Sequence, residues 1–188
     1  MMKGSSQSLT AAYGVKLLTQ TALLCAIGIA IPMFMPIRVV IEPMSFTLAA
    51  HVAIFIAMFI SPTSAIAVTI GTTMGFFFAG FPIVVVFRAG SHIVYAIVGS
   101  LYLKRHPDLL DKKFQLIIFS FVIAVIHAIA EVAVVIPFYF GGTLPAGFYA
   151  RGFVMGIIIL VGVGTIVHSI VDFFIARLIW RPLQKVAN

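Results

Sequence analysis

The sequence predicts an all-α integral membrane protein, a six-transmembrane-helix bundle with its N- and C-termini cytoplasmic. Three observations carry that expectation. Of 188 residues, 62% are hydrophobic and only 9% charged, and the mean hydropathy of +1.20 lies far above that of a soluble globular domain. Six apolar runs follow one another, taking a span as ~20 residues and allowing shorter ones inside a bundle. Lys and Arg crowd onto one side of those runs, and basic excess in membrane proteins reports topology.

The runs cover residues 15–34, 45–60, 63–79, 83–103, 114–136 and 149–180. The first is too long for a secretory signal and lacks a convincing cleavage site, so it reads as a retained span. Pro32 and Pro36 end it, Ser61-Pro62 separates the second from the third, and Gly80-Phe81-Pro82 turns into the fourth. The polar run KRHPDLLDKK closes the fourth, and Pro137 ends the fifth. The loop PFYFGGTLPAGF before the sixth has the composition of a lid. The second and third runs are short and read as tilted, shielded or interrupted. With no repeat, linker or low-complexity tract, residues 1–188 read as a single six-helix membrane domain.

With the N-terminus inside, Lys3, Lys16, Lys104, Arg105, Lys112, Lys113, Arg177, Arg181 and Lys185 fall on the cytoplasmic side. Arg38, Arg88 and Arg151 are left toward the outside. The net charge of +7 is thereby explained as topology, which removes the reason to invoke nucleic acid. The lone cysteine, Cys25, lies mid-span and reads as packing.

Arg88 and His92 sit inside an apolar run, where a central Arg costs ~2.5 to 3.5 kcal/mol on insertion scales and needs a partner, water or a ligand. Arg88, His92 and Tyr95 recur at i, i+4, i+7 and share one helical face. At ~1.5 Å per residue, Arg88 lies roughly 9 Å inside the fourth span, Glu131 as deep in the fifth and His51 in the second. With Arg151 entering from the sixth, these residues define one polar level in the outer leaflet. His127 and Glu131 share a face at i, i+4, and Tyr139, Phe138, Phe148 and Tyr149 supply aromatic walls or a cover. Direct Arg88–Glu131 pairing is the structural alternative to ligand contact. His168 and Asp172 repeat the i, i+4 spacing but count as near the cytoplasmic surface, in a structural or partner contact involving Arg177.

Ala22, Ala26 and Ala30 make a smooth ridge on the first span, and Gly71/Gly75 and Gly152/Gly156 are small-xxx-small pairs. Spacing leaves open whether such faces pack within the bundle or against another protein. There is no phosphate-binding GxxxxGK[ST] loop, so any ATP is used by other subunits. There is no HExxH, CxxC or aspartate-rich pair. No catalytic residue is therefore assigned, and the five histidines show no metal-ligand spacing.

Over essentially the whole chain these features resemble the substrate-binding S components of energy-coupling factor (ECF) vitamin transporters. The ridge Ala22, Ala26, Ala30 resembles the AxxxA signature with which that family docks its transmembrane coupling subunit. The stretches PMSFTLAAHVAIFIAMFISP and GFFFAGFPIVVVFRAGSH resemble a lactic-acid-bacterial branch of these components, the pantothenate-specific one. The resemblance implies a multi-pass protein of the bacterial cell membrane with a vitamin pocket near the outer surface. It implies closure by loops at residues 35–44, 80–82 and 137–148, and a binding protein that topples to deliver its ligand. Its implied partners are the coupling subunit and two ATPases, with no cofactor in this chain.

The outer arginines against Glu42 and Glu131 favour an anionic vitamin, because Arg offers a carboxylate a charge-assisted bidentate pair. Pantothenate is favoured, its carboxylate meeting Arg88 or Arg151 and its polar groups His92, His127, Glu131 and Tyr139, with His51 and Tyr95 as further substrate-binding candidates. Nicotinate fits the charge equally, whereas pyridoxine or a hydroxymethylpyrimidine would use Glu131 directly. Outside this class stand a channel or secondary transporter, which the lack of inverted repeats disfavours, and an intramembrane enzyme using His127 and Glu131 as acid and base.

Overall fold

The computed structural model describes residues 3–35, 38–41, 44–47, 49–144 and 146–187. Pro36, Glu42 and the side chains of Lys3, Arg38, Phe148 and Lys185 lie outside the described set. The elements run α1 (Lys3–Phe34), β1 (Arg38–Ile41), β2 (Met44–Thr47), α2 (Val52–Ile60), α3 (Pro62–Phe78), α4 (Ile83–Arg105), a 3₁₀ turn (Pro107–Asp111), α5 (Lys113–Phe140), α6 (Ala146–Ala150), a π-helix (Val154–Val163) and α7 (Gly164–Ala187). The architecture is helical, with one antiparallel hairpin in which Arg38 pairs with Thr47 and Ile41 with Met44.

Among the described residues, four helical stretches are long and apolar enough to cross a membrane: Gly14–Phe34, Ile83–Arg105, Lys113–Phe140 and Val154–Gln184. The expected second span, 45–60, is corrected. Its first residues form β2 and a turn, and only Val52–Ile60 is helical. Nearly every residue of α2 is buried, so its all-round apolar surface meets protein rather than lipid and no spanning length is required. At Ala49 the backbone enters the left-handed region, with φ 64.

The third apolar run is helical from Pro62 to Phe78, close to its expected bounds, but is a shorter apolar helix outside those four. Ser61 caps α3 by accepting from the Ser64 N–H at 3.1 Å, and Pro62 occupies the first turn, where its missing N–H costs nothing. Gly80, at φ +73, makes the turn into α4, as glycine does where a side chain is disfavoured. Pro137 does not end the fifth helix: α5 runs on to Phe140, forgoing the one hydrogen bond that a proline N–H cannot donate to the carbonyl of Ala133, and the ladder resumes with the Gly141 N–H on the Pro137 carbonyl. The sixth run is not one helix either. A left-handed backbone position at Gly152, φ +70, lies between α6 and a ten-residue π-helix, whose wide turns carry the chain less far per residue than an α-helix.

α1 packs along α3 through small residues. Thr21 shares a 2.7 Å hydroxyl contact with Ser64, and a Cβ on Gly71 would stand 3.3 Å from Cys25. Further along, Gly28 faces Thr72, and a Cβ on Gly75 would stand 2.7 Å from the Ile29 Cα. Both sequences ascend together, so the two helices run parallel. This assigns Gly71 and Gly75 to packing inside the bundle. Gly75→Val is expected to destabilise the folded protein by roughly 1–3 kcal/mol, the usual cost of overpacking against backbone; a thermal melt in detergent measures it, and an unchanged midpoint would mean that the helices are free to separate there.

The core below the polar level is aromatic. Phe55 packs on Tyr95 and Phe173, with ring centroids 5.2 and 5.4 Å apart, and Phe59 contacts Trp180 at 6.3 Å. At the same end Arg177 donates to the Leu110 carbonyl and to Asp111, both at 2.8 Å, fixing α7 to the turn after α4. Arg177 therefore serves this junction and not the His168–Asp172 pair.

Candidate functional site

Four segments converge on one buried polar cluster. α4 supplies Arg88 and His92, α5 supplies His127 and Glu131, α7 supplies Thr165, His168, Ser169 and Asp172, and the turn ahead of α2 supplies His51. The i, i+4 spacing on α4 and α5 aims each pair at the facing helix.

Glu131 is the hub. Its Oε2 accepts from Arg88 Nη2 at 2.7 Å and from Thr165 Oγ1 at 2.6 Å, while Oε1 lies 3.0 Å from His92 Nε2 and 3.5 Å from His127 Nε2. Both members of the Arg88–Glu131 pair are buried, which is tolerated because the remaining lone pairs are also hydrogen-bonded. Arg88 Nε stays without a hydrogen-bond partner among the described residues.

A second hub is Asp172. Its carboxylate accepts from the backbone N–H groups of Ala49 and His51, each at 3.1 Å, and sits 3.0 Å from His51 Nδ1. It thus ties down the positive-φ turn that leads into α2, a conformation that costs about 1–2 kcal/mol for a non-glycine residue. His168 Nε2 lies 3.3 Å from the same carboxylate. His51 bridges the two hubs, its ring centroid 4.6 Å from that of His92, 4.7 Å from His127 and 4.8 Å from His168.

The expectation that His168 and Asp172 stand apart near the cytoplasmic surface is corrected, since both belong to this cluster. The depth count assumes a continuous α-helix from residue 149, whereas the helix is interrupted at Gly152, φ +70, and the chain then advances slowly through the π-helix. Of the sequence-derived candidates, Arg88, His92, His127, Glu131 and His51 come together, and Tyr95 stacks beneath them, 4.6 Å from the His127 ring. Tyr139 instead joins an aromatic group with Tyr149 and Phe153, at 5.0 and 5.4 Å. Tyr149 fastens the neighbouring loop by accepting from the Leu144 N–H and donating to the Phe138 and Tyr139 carbonyls. Tyr139 and the exposed Arg151 do not line the cavity that opens onto the cluster. Thr165 and Ser169 went unnoticed in the sequence, though each lies three residues before a charged or imidazole partner on α7 or one turn from it; hydroxyls on an apolar helix are too common to mark a site.

That cavity encloses ≈ 40 Å³, room for a few water molecules. Arg88, Glu131, His51, His92 and His168 form its polar floor, and Phe76 and Phe81, with rings 5.0 Å apart, form an apolar side. A cation donor with a free N–H, neutral ring nitrogens and flat aromatic walls suit a small, flat, anionic ligand.

No family model and no solved structure matches the chain significantly. A curated protein does: the niacin transporter NiaX of Lactococcus lactis subsp. cremoris (strain MG1363), 38% identical over 172 residues, which are 91% of this chain and 76% of that protein. The chain belongs to the NiaX family. Similarity at this level over nearly the whole sequence puts it among membrane transport proteins rather than enzymes. It also agrees with the vitamin-transport resemblance drawn from the sequence, while giving the pantothenate branch no support.

Proposed function

We propose that this chain is the S component of an ECF importer that captures nicotinate at the outer face of the bacterial cell membrane. The substrate expectation thereby moves from pantothenate to the alternative, nicotinate. Similarity to the niacin transporter NiaX carries the proposal, and the cavity supports it. Nicotinate has one carboxylate, one neutral ring nitrogen and a flat face, which correspond to the unpartnered Arg88 Nε, the imidazole floor and the Phe76–Phe81 side. Pantothenate is longer and flexible, and would need a larger opening of a ≈ 40 Å³ space.

In this reading the protein is one six-helix domain with both termini cytoplasmic, and it hydrolyses no ATP. The turn at residues 80–82 swings Phe81 outward to admit the vitamin. The loaded protein then reorients while docked on the coupling subunit through Ala22, Ala26 and Ala30, with two ATPase subunits supplying energy. Tyr139 and Arg151 act at the entrance rather than on the bound ligand.

Isothermal titration of the detergent-purified protein tests the substrate. Nicotinate is expected to bind at least ~10-fold more tightly than nicotinamide, whose neutral amide forfeits the charge-assisted contact, and pantothenate to show no heat of binding. Arg88→Lys keeps the charge but loses the guanidinium fork and should weaken nicotinate ~10–100-fold. Pantothenate binding without nicotinate binding would restore the first substrate expectation.

A further inference from the structure

We infer that His51, His92 and His127 bind a divalent transition-metal ion of the zinc, cobalt or nickel class, and that nicotinate closes its coordination sphere through the pyridine nitrogen. The metal site stands on this chain's geometry alone; the pyridine contact rests on the nicotinate reading.

The three imidazoles form a triangle, with ring centroids 4.6, 4.7 and 4.6 Å apart and planes 75°, 76° and 81° to one another. Around a tetrahedral ion with metal–nitrogen bonds of ~2.0–2.1 Å, three imidazole centroids would stand about 5 Å apart. A nitrogen of each ring and an oxygen of Glu131 already lie within 4.8 Å of one another, and roughly 3.3 Å would separate ligand atoms around such an ion. The widest of these separations exceeds what such a sphere requires by about 1.5 Å.

Hydrogen bonding leaves the needed lone pairs bare. A carboxylate only accepts, so His92 donates from Nε2 to Glu131 at 3.0 Å and keeps an unprotonated Nδ1. That Nδ1 is buried without a partner among the described residues. His51 likewise donates from Nδ1 to Asp172, which leaves its Nε2 bare. His127 has Nδ1 at 3.2 Å from the Ser169 hydroxyl, and its Nε2 makes no hydrogen bond of acceptable geometry. Buried polar atoms left open in this way ask for an explanation. A carboxylate or hydroxyl on the second nitrogen of each ring is the arrangement that orients metal-binding histidines and fixes their tautomer.

The donor set also selects the ion. Three imidazoles without a thiolate suit zinc, cobalt or nickel, whereas magnesium and calcium prefer oxygen. Asp172 is committed to two backbone N–H groups, so it serves as an orienting group and not as a ligand. Charge points the same way. With the imidazoles neutral, as ligation requires, Arg88 against Glu131 and Asp172 leaves the buried cluster one negative charge in excess, which Arg88 alone does not balance. A divalent ion turns that excess into one positive charge, which a single carboxylate neutralises.

Elemental analysis of the purified wild-type protein, grown with added zinc, cobalt or nickel and then desalted, should find close to one ion per chain, removable by chelation. The cobalt-loaded protein should show visible absorption of a nitrogen-ligated site. Nicotinate should shift that spectrum, and benzoate, the same ring and carboxylate without the nitrogen, should not. His92→Gln and His127→Gln should each lower metal affinity at least tenfold, while His106→Gln, at the exposed end of α4, should leave it unchanged. Stoichiometric nicotinate binding that is identical in chelated and metal-loaded protein, with no retained ion, overturns the inference and leaves the nicotinate reading intact. Retained metal without any nicotinate response does the reverse, sparing the site and sinking the substrate. Because these readouts are on the wild type, a variant that fails to fold does not decide the matter.

Discussion

Replacing Glu131 with leucine is expected to cost the folded protein about 3–5 kcal/mol, the usual penalty for removing one partner of a buried ion pair. The Arg88 guanidinium would be left inside the bundle facing neutral imidazoles, and Thr165 and His92 would lose their acceptor as well. The double variant Arg88→Met, Glu131→Leu should recover most of that loss, since two apolar side chains of similar volume replace the pair without stranding a charge. Neither variant should bind nicotinate. Thermal unfolding in detergent and titration calorimetry separate the two effects: stability returns in the double variant and binding does not. A single variant as stable as the wild type would mean that water reaches Arg88 and that the pair is not a buried one. Glu131→Gln makes an intermediate case, keeping an acceptor for Thr165 while removing the counter-charge.

Much of this cluster is legible in the sequence because an ionisable residue in an apolar run has few acceptable places to point. Arg88, His92, His127 and Glu131 follow from helical spacing and a depth count, and His51 from depth alone. What the count missed is irregular backbone. Asp172 and His168 are visible as an i, i+4 pair, yet their level depends on a break at Gly152 and a π-helix between Val154 and Val163, where hydropathy is uniform and carries no register. The second span misled for a related reason. An apolar run from Ser45 looks the same whether it crosses lipid or is wrapped by other helices, and only the packing around Val52–Met58 tells them apart. The sequence puts Arg151 at the outer polar level and Tyr139 among the aromatic walls; the Tyr149 hydroxyl bonds hold the Tyr139 segment in an aromatic group of its own. Spacing leaves the small-residue faces undecided; the fold turns Gly71 and Gly75 inward against α1 and leaves Ala22 and Ala26 exposed.

That division sets the last expectation. Along α1, Thr21, Cys25 and Gly28 turn toward α3, while Ala22 and Ala26 are exposed and Ala30 is half-buried on the other side. An exposed alanine ridge has no core to fill, so Ala26→Trp should leave the melting midpoint and nicotinate affinity within error of the wild type. A bulky indole would nonetheless prevent a second helix from approaching closely, which is what small-xxx-small faces permit. Uptake of labelled nicotinate by cells expressing the complete importer should therefore fall at least tenfold. The inward-facing Gly75→Val makes the opposite prediction, lowering stability first and uptake only in consequence. Full uptake by Ala26→Trp would place the coupling subunit on another face of the bundle. Loss of binding together with uptake would instead show that α1 moves against the bundle when the vitamin enters, bringing the ridge into the closed protein.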